Sequence, residues 1–281
     1  MVGGRKLGGR VLRLYLPLGF FLILMLFPFY WMLITSIKPN RELYSQKIMP
    51  LYVHQPTLKH YVDLLSQTNF LTWTYNTMLV AIITTIISLV LGTMMAYPLA
   101  RMNFPGAAIV AIGVAATYLV PQPLLFIPMA DIINRLDLGN TLSAVMLTYP
   151  TLLIPFCAWL LMGYFKSVPR ELEEAARIDG ASRLQAMIRV VLPLCTPGLL
   201  SAGIFAFTLA QNEFLYALIF LAKSDVRTVP VGAITELIRG DVFYWGQLMA
   251  AALLGSVPVA LIYSFFVDHY VAGLTSGAVK T

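Results

Sequence analysis

Residues 166–180 read KSVPRELEEAARIDG, and the acids Glu171, Glu173 and Glu174 within it are the densest cluster of reactive side chains in the chain. Neighbouring carboxylates can serve general acid–base chemistry, but the sequence offers no plausible Ser-His-Asp or Cys-His set to go with them. What they can do is oppose the positive end of a helix and present charge to a basic partner. Glu213, with Gln211 and Asn212, forms a second polar point, set inside an otherwise apolar run. An acid inside a long apolar run is costly to bury, and its default reading is functional. The plainer alternative is a hydrogen-bonded or protonated acid at a helix interface. Other chemistry is missing from the sequence. Gly3-Gly4-Arg5-Lys6 and Gly8-Gly9 lack phosphate-loop spacing and precede no strand. His54, His60 and His269 are scattered, and Cys157 and Cys195 fall in or beside apolar runs, so neither a metal site nor a disulfide framework is indicated. Catalytic residues and metal ligands are therefore not assigned, and the chain is not expected to be an enzyme by itself.

The acidic cluster needs an element to hold it. Pro169 suits a first helical turn, and Leu172, Ala175 and Ala176 share one face at helical spacing. Gly180 can end that helix in the left-handed conformation, and Ser182 with Gln185 forms a capping box that starts another. The second helix is predicted to stop before Pro193. The first, over 170–179, is about 15 Å long at 1.5 Å per residue. It is too short and acidic to lie on a membrane surface, where Lys and Arg dominate the polar side. A rigid lever for another protein fits, and so does an ordinary solvated loop helix.

Around this loop the chain is apolar. Hydrophobic residues make up 59% and charged residues 11%, with a mean hydropathy of +0.78, whereas soluble proteins carry about a quarter charged residues. Six stretches reach the roughly 20 residues needed to cross a bilayer: about 14–36, 77–100, 107–130, 141–165, 198–222 and 245–267. Arg5, Lys6, Arg10 and Arg13 precede the first, without an acid among them. That pattern marks a cytoplasmic flank, and the apolar run after it is too long for a signal peptide. Six crossings then place 11 Lys and Arg inside and 8 outside. One Pro-rich run failing to span would leave five. Prolines recur within the runs (Pro28, Pro121, Pro128, Pro155, Pro258) and kink helices where neighbours satisfy the freed carbonyl. The aromatic groups Phe29-Tyr30-Trp31 and Trp73-Thr74-Tyr75 read as an interfacial belt. The fold class is thus an all-α membrane protein of about six transmembrane helices, with both termini cytoplasmic and a cytoplasmic loop carrying the acidic helix. Its parts are a basic flank (1–13), a first helix (14–36), an extracytoplasmic loop (37–70), a five-helix core containing the 166–193 loop (71–272) and a cytoplasmic tail (273–281).

Glu174-Ala175-Ala176, then Gly180, then Val190, Leu192 and Pro193, resembles the EAA signature of ATP-binding-cassette (ABC) importer permeases, with Val190 for the usual Ile. Ile178-Asp179-Gly180-Ala181 is similar to the carbohydrate-uptake, maltose-type branch. Further blocks extend the likeness from about residue 30 to 280. They are Ala96-Tyr97-Pro98-Leu99-Ala100-Arg101 with Phe104-Pro105-Gly106, Asn212-Glu213-Phe214-Leu215-Tyr216-Ala217, Thr228-Val229-Pro230-Val231-Gly232, and the 273–280 tail, which resembles the smaller membrane subunit of such systems.

The resemblance implies a permease subunit whose short helix seats in a separate ATPase. Glu173, Glu174, Ala175, Ala176, Asp179, Gly180, Ala181 and Pro193 are then the coupling residues, and Gln211, Asn212 and Glu213 candidate lining of the path. It implies no cofactor on this chain, with ATP and Mg used by the partner. The implied partners are a second permease, two copies of the ATPase, an extracytoplasmic solute-binding protein, a sugar and the lipid bilayer of a bacterial or archaeal inner membrane, with no nucleic acid. The rivals are an ion-gradient-driven secondary transporter, for which no convincing inverted repeat is seen, and a non-transporting scaffold.

Overall fold

A computed structural model describes residues 11–45 and 49–278, with side chains from 13 to 266. Arg5, Lys6 and Arg10 of the basic flank, and Val279 and Lys280 of the tail, lie outside the described residues. The apolar runs form helices because lipid offers backbone groups no partner and each must bond within its own segment. Among the described residues, four spans are long and apolar enough to cross, 13–37, 70–101, 142–167 and 245–266, and up to six if each of two bent helix pairs counts as one. Helix α1 (Leu16–Ile37) supplies the first. Two short helices follow, α2 (Asn40–Leu43) and α3 (Lys59–Gln67), so the 37–70 loop is partly ordered. The second span is α4 (Phe70–Arg101).

Two expected spans are broken instead. The third divides into α5 (Ala107–Tyr118) and α6 (Gln122–Arg135), bent by 95°. Pro121 supplies the reason: it stands just outside α6, has no amide to continue α5, and disfavours a helical conformation for the residue before it. The fourth forms from α7 (Leu142–Thr148) and α8 (Pro150–Ser167), joined at Tyr149 without leaving helical geometry. After the loop helices α9 (Arg170–Ile178), α10 (Arg183–Ala186) and α11 (Leu192–Leu194), the chain bends by 79° at Cys195 into α12 (Thr196–Asn212). The expected fifth span stops at Asn212, and α13 (Leu215–Phe220) resumes two residues later. Helix α14 (Val229–Leu237) leads to a two-stranded hairpin, β1 (Ile238–Arg239) with β2 (Val242–Phe243). The last helix, α15 (Trp245–Ala278), runs on through 273–278, where a tail was expected.

The chain divides into two compact units, Met1–Phe70 with Ala233–Val257, and Leu71–Gly232 with Pro258–Thr281. In the first, polar bonds order the 37–70 loop. Glu42 accepts from the His54 and Gln55 amides at 3.1 and 2.9 Å, and His60 Nε2 meets the Lys38 carbonyl at 2.7 Å. Burial alone would raise the Glu42 carboxyl, but those two amides together with the nearby His54 and Lys38 charges outweigh it, and the group lies below its ordinary value. The apolar side chains of α1 face outward, Ile23 72% exposed and Met25 68%, as a helix solvated by lipid permits.

The second unit holds two cores. One gathers Val80, Ala81, Val145, Leu153, Cys157, Phe207 and Tyr216, and the other Tyr97, Leu161, Phe165, Met187, Val191 and Ala202. Small residues set the closest approaches, as expected where lipid supplies no hydrophobic drive between helices. A Cβ on Gly232 would lie 2.3 Å from the Trp73 ring. Trp73 is wholly buried, its Nε1 donating to the Ser224 carbonyl at 2.8 Å. It is therefore a core residue, not the belt residue its place near a span end suggested. Gly232→Ala should cost about 1–3 kcal/mol through overpacking. The check is the thermal unfolding midpoint in detergent, and an unchanged midpoint would contradict this packing.

Candidate functional site

The loop between α8 and α12 is built from two arms. The first, α9, begins after Pro169, which is extended and stands one residue outside the helix. Its last turn is closed by a Schellman arrangement: Gly180 N–H donates to the Arg177 carbonyl at 3.1 Å and Ala181 N–H to the Ala176 carbonyl at 3.0 Å. Gly180 adopts φ +93°, a left-handed conformation that glycine alone adopts without a Cβ penalty. Two residues on, the capping box is present, with Gln185 N–H to Ser182 Oγ at 3.3 Å and Ser182 N–H to Gln185 Oε1 at 2.9 Å.

The second arm does not end before Pro193. It widens into a π turn over Met187–Val191 and carries on through Leu192–Leu194. A π turn relaxes the hydrogen-bond ladder where proline removes a donor. Ala186, Met187 and Val191 are buried, which roots this arm in the second core. The first arm is mostly free. Glu174, Ala175, Asp179 and Gly180 are exposed, as are Leu172, Ile178, Leu184 and Ile188. Ile178 is 86% exposed. Leu172, Ala175 and Ala176 lie on one helix at the expected spacing, but that face is unevenly covered: Leu172 and Ala175 are exposed, while Ala176, like Glu173, is half-buried. Pro193 lies on the second arm, apart from the other coupling residues.

Glu173 does not share the exposure of Glu174. Its carboxylate accepts a 2.5 Å hydrogen bond from Tyr97 Oη and lies 3.6 Å from Arg101 Nε. Tyr97 and Arg101 were legible only as part of a span-ending motif. Their i,i+4 spacing was the available signal that they share a face.

The second site is a cavity of about 420 Å3 whose polar lining is Tyr118, Gln122, Tyr149, Thr208, Asn212 and Glu213, with Leu152, Leu153 and Phe214 among its apolar walls. An apolar, aromatic hollow with a few convergent polar groups is the usual form of a small-molecule site. Asn212 and Glu213 reach it, whereas Gln211 is buried and is not part of the lining. Glu213 lies at the break between α12 and α13, not within a continuous helix. Its two oxygens accept from the Tyr216 and Ala217 amides at 2.9 and 3.2 Å, capping α13. The carboxylate is thus matched to the positive end of a helix while still facing the hollow. Tyr118 and Gln122 arrive there because of the break after α5, which hydropathy could not disclose.

Residues 88–276 match the family described as "Binding-protein-dependent transport system inner membrane component". The sulfoquinovosyl glycerol transport system permease protein SmoH of Agrobacterium fabrum is 37% identical over 273 residues, covering 97% of this chain and 94% of its own. The trehalose/maltose transport system permease protein MalG of Thermococcus litoralis is 34% identical over 261 residues, covering 92% of each. In fold, the chain is similar to a crystal structure of a bacterial ABC transporter involved in the import of the acidic polysaccharide alginate. The TM-score is 0.78 at 20% identity, over 96% of this chain and 99% of that one.

Proposed function

Because the chain belongs to the family of binding-protein-dependent transport system inner membrane components, we propose that it is the permease subunit of an ATP-binding-cassette sugar importer. It forms half of the translocation path and couples that path to a separate ATPase. The observation that carries this reading is α9. It is a short helix with a closed C-terminal cap, anchored through the second arm in a buried core, and it presents Glu174, Ala175 and Ile178 outward. Such an element suits a groove on another protein. Alanines allow close approach, and an exposed carboxylate offers a charge-assisted contact to a basic side chain.

In this reading Glu174, Ala175, Ala176, Asp179, Gly180 and Ala181 meet or shape the contact with the ATPase, and that partner uses ATP and Mg. A second permease completes the path, two ATPase copies drive it, and an extracytoplasmic binding protein delivers the solute. The membrane is a bacterial or archaeal inner membrane with α9 on its cytoplasmic side. Asn212 and Glu213, with Tyr118 and Tyr149, line this chain's share of the path. Family membership removes the ion-gradient alternative, since binding-protein-dependent transport is a different mode of drive.

The decisive experiment is topological. The native cysteines Cys157 and Cys195 are both buried, so Ser182→Cys, at an exposed position, can be labelled against a low background. A membrane-impermeant maleimide should modify it in inside-out vesicles and not in intact cells. Labelling in intact cells would place the loop beyond any cytoplasmic ATPase and end this reading.

A further inference from the structure

Glu173 belongs to the acidic run, yet its carboxylate is spent on its own subunit. Oε1 accepts from Tyr97 Oη at 2.5 Å, and Oε2 lies 3.6 Å from Arg101 Nε. The Arg101 side chain is only 2% exposed and that of Glu173 14%. Among the described residues, Glu173 is the one acid within ion-pair distance of Arg101. Arg101 Nε and Nη2 have no hydrogen-bond partner there. A buried guanidinium is tolerated when paired and is costly to leave without its counter-charge. Tyr97 and Arg101 occupy successive turns at the end of α4, and the Tyr97 ring packs edge-on against Phe165 with centroids 6.1 Å apart.

We infer that Glu173 is a positioning residue for energy coupling. Through Tyr97 and Arg101 it pins α9 to the end of α4, so that a displacement imposed on α9 moves the second span directly. This rests on the coupling function proposed above. A helix held only at its two ends can rock in place and lose the stroke; α9 packs along the loop's second arm, Arg183–Ala186 and Met187–Val191, and the pin adds a hold on a different element, α4. The pin joins residues 76 positions apart, a link that passes along neither the α8 connection nor the second arm. The hydroxyl bond is short and directional, while the ion pair is long with donors to spare. Glu173 can therefore pivot about Tyr97 and draw nearer to Arg101 without breaking either contact.

The test uses the assembled transporter, purified with its partner permease and ATPase. A bimane fluorophore is placed at Met94→Cys, which is 60% exposed on α4, and its emission is read before and after trapping with Mg-ATP and vanadate. Glu173→Gln removes the charge, and Tyr97→Phe removes one hydroxyl while keeping the ring in the core. Each should shrink the trapping-induced emission shift about fivefold or more, with ATP hydrolysis and ATPase association within about twofold of the parent. The double variant should lose no more than either single one, as members of one unit do. Full shifts in both single variants, additive losses, or a parent that shows no shift would overturn the inference. Loss of ATPase association in Glu173→Gln would overturn it as well, by making Glu173 a docking contact. Failure of the unmodified chain to associate with any ATPase would instead strike the importer reading.

Discussion

Gly180→Pro should reduce uptake by the assembled transporter to background and abolish the stimulation of its ATPase, while the chain still inserts in the membrane. Gly180 stands at φ +93° and its amide bonds the Arg177 carbonyl. Proline holds φ near −65° and has no amide, so neither feature survives. It also disfavours the near-helical conformation of Asp179, at φ −72° and ψ 5°, just before it. Losing the two bonds of the cap, at about 1 kcal/mol each, depopulates the docking shape roughly thirtyfold before any strain is counted. Nothing lies within 4 Å of where a Cβ would stand, so Gly180→Ala isolates the conformational cost of about 1–2 kcal/mol and should keep partial uptake. Normal uptake in the proline variant would show that the α9 cap plays no part in coupling.

Ile178→Asp should weaken association with the ATPase by about one to two orders of magnitude. Ile178 is the most exposed apolar side chain of the loop, at 86%, with Leu184 at 61% and Ile188 at 52% also exposed. Burying a side chain of this size against a partner contributes about 1.5–3 kcal/mol, and such anchors carry a disproportionate share of binding. The aspartate forfeits that burial and sets a negative charge at the negative end of α9. Ile178→Ala should give most of the loss through area alone. Co-purification of the ATPase across a dilution series reads both variants, and undiminished recovery with Ile178→Asp would move the docking face elsewhere.

These two expectations rest on features written locally in the chain. Each stop and start in 169–186 follows from residues within five positions: the acids after Pro169, glycine at the left-handed position, and serine three residues before glutamine. Local rules govern caps because the groups they satisfy belong to the same turn. Membrane class was equally legible, since apolar content along a segment needs no knowledge of its neighbours.

Direction and facing were not legible. Hydropathy sums composition along a segment and is blind to a 95° turn inside it, so the prolines signalled a kink or a failed crossing without showing which run turns or how sharply. Glu213 read either as lining of a path or as a hydrogen-bonded acid at a helix interface, and its bonds to the Tyr216 and Ala217 amides were not legible, because the break that frees it depends on how α12 and α13 pack into one core. Which acid of a run meets a partner and which is held inside depends on groups remote in sequence. Glu173 and Glu174 are adjacent in the chain, and only the contacts of α9 with the end of α4 turn one inward and leave the other exposed. The amino-acid sequence by itself determined that this is a multi-span membrane chain with a capped acidic helix between two of its spans, because bilayer solvation and helix capping act on contiguous residues. Tertiary structure alone decided where the spans bend, which side chains share the cavity and which acid faces inward, because those depend on contacts that close only when distant helices meet.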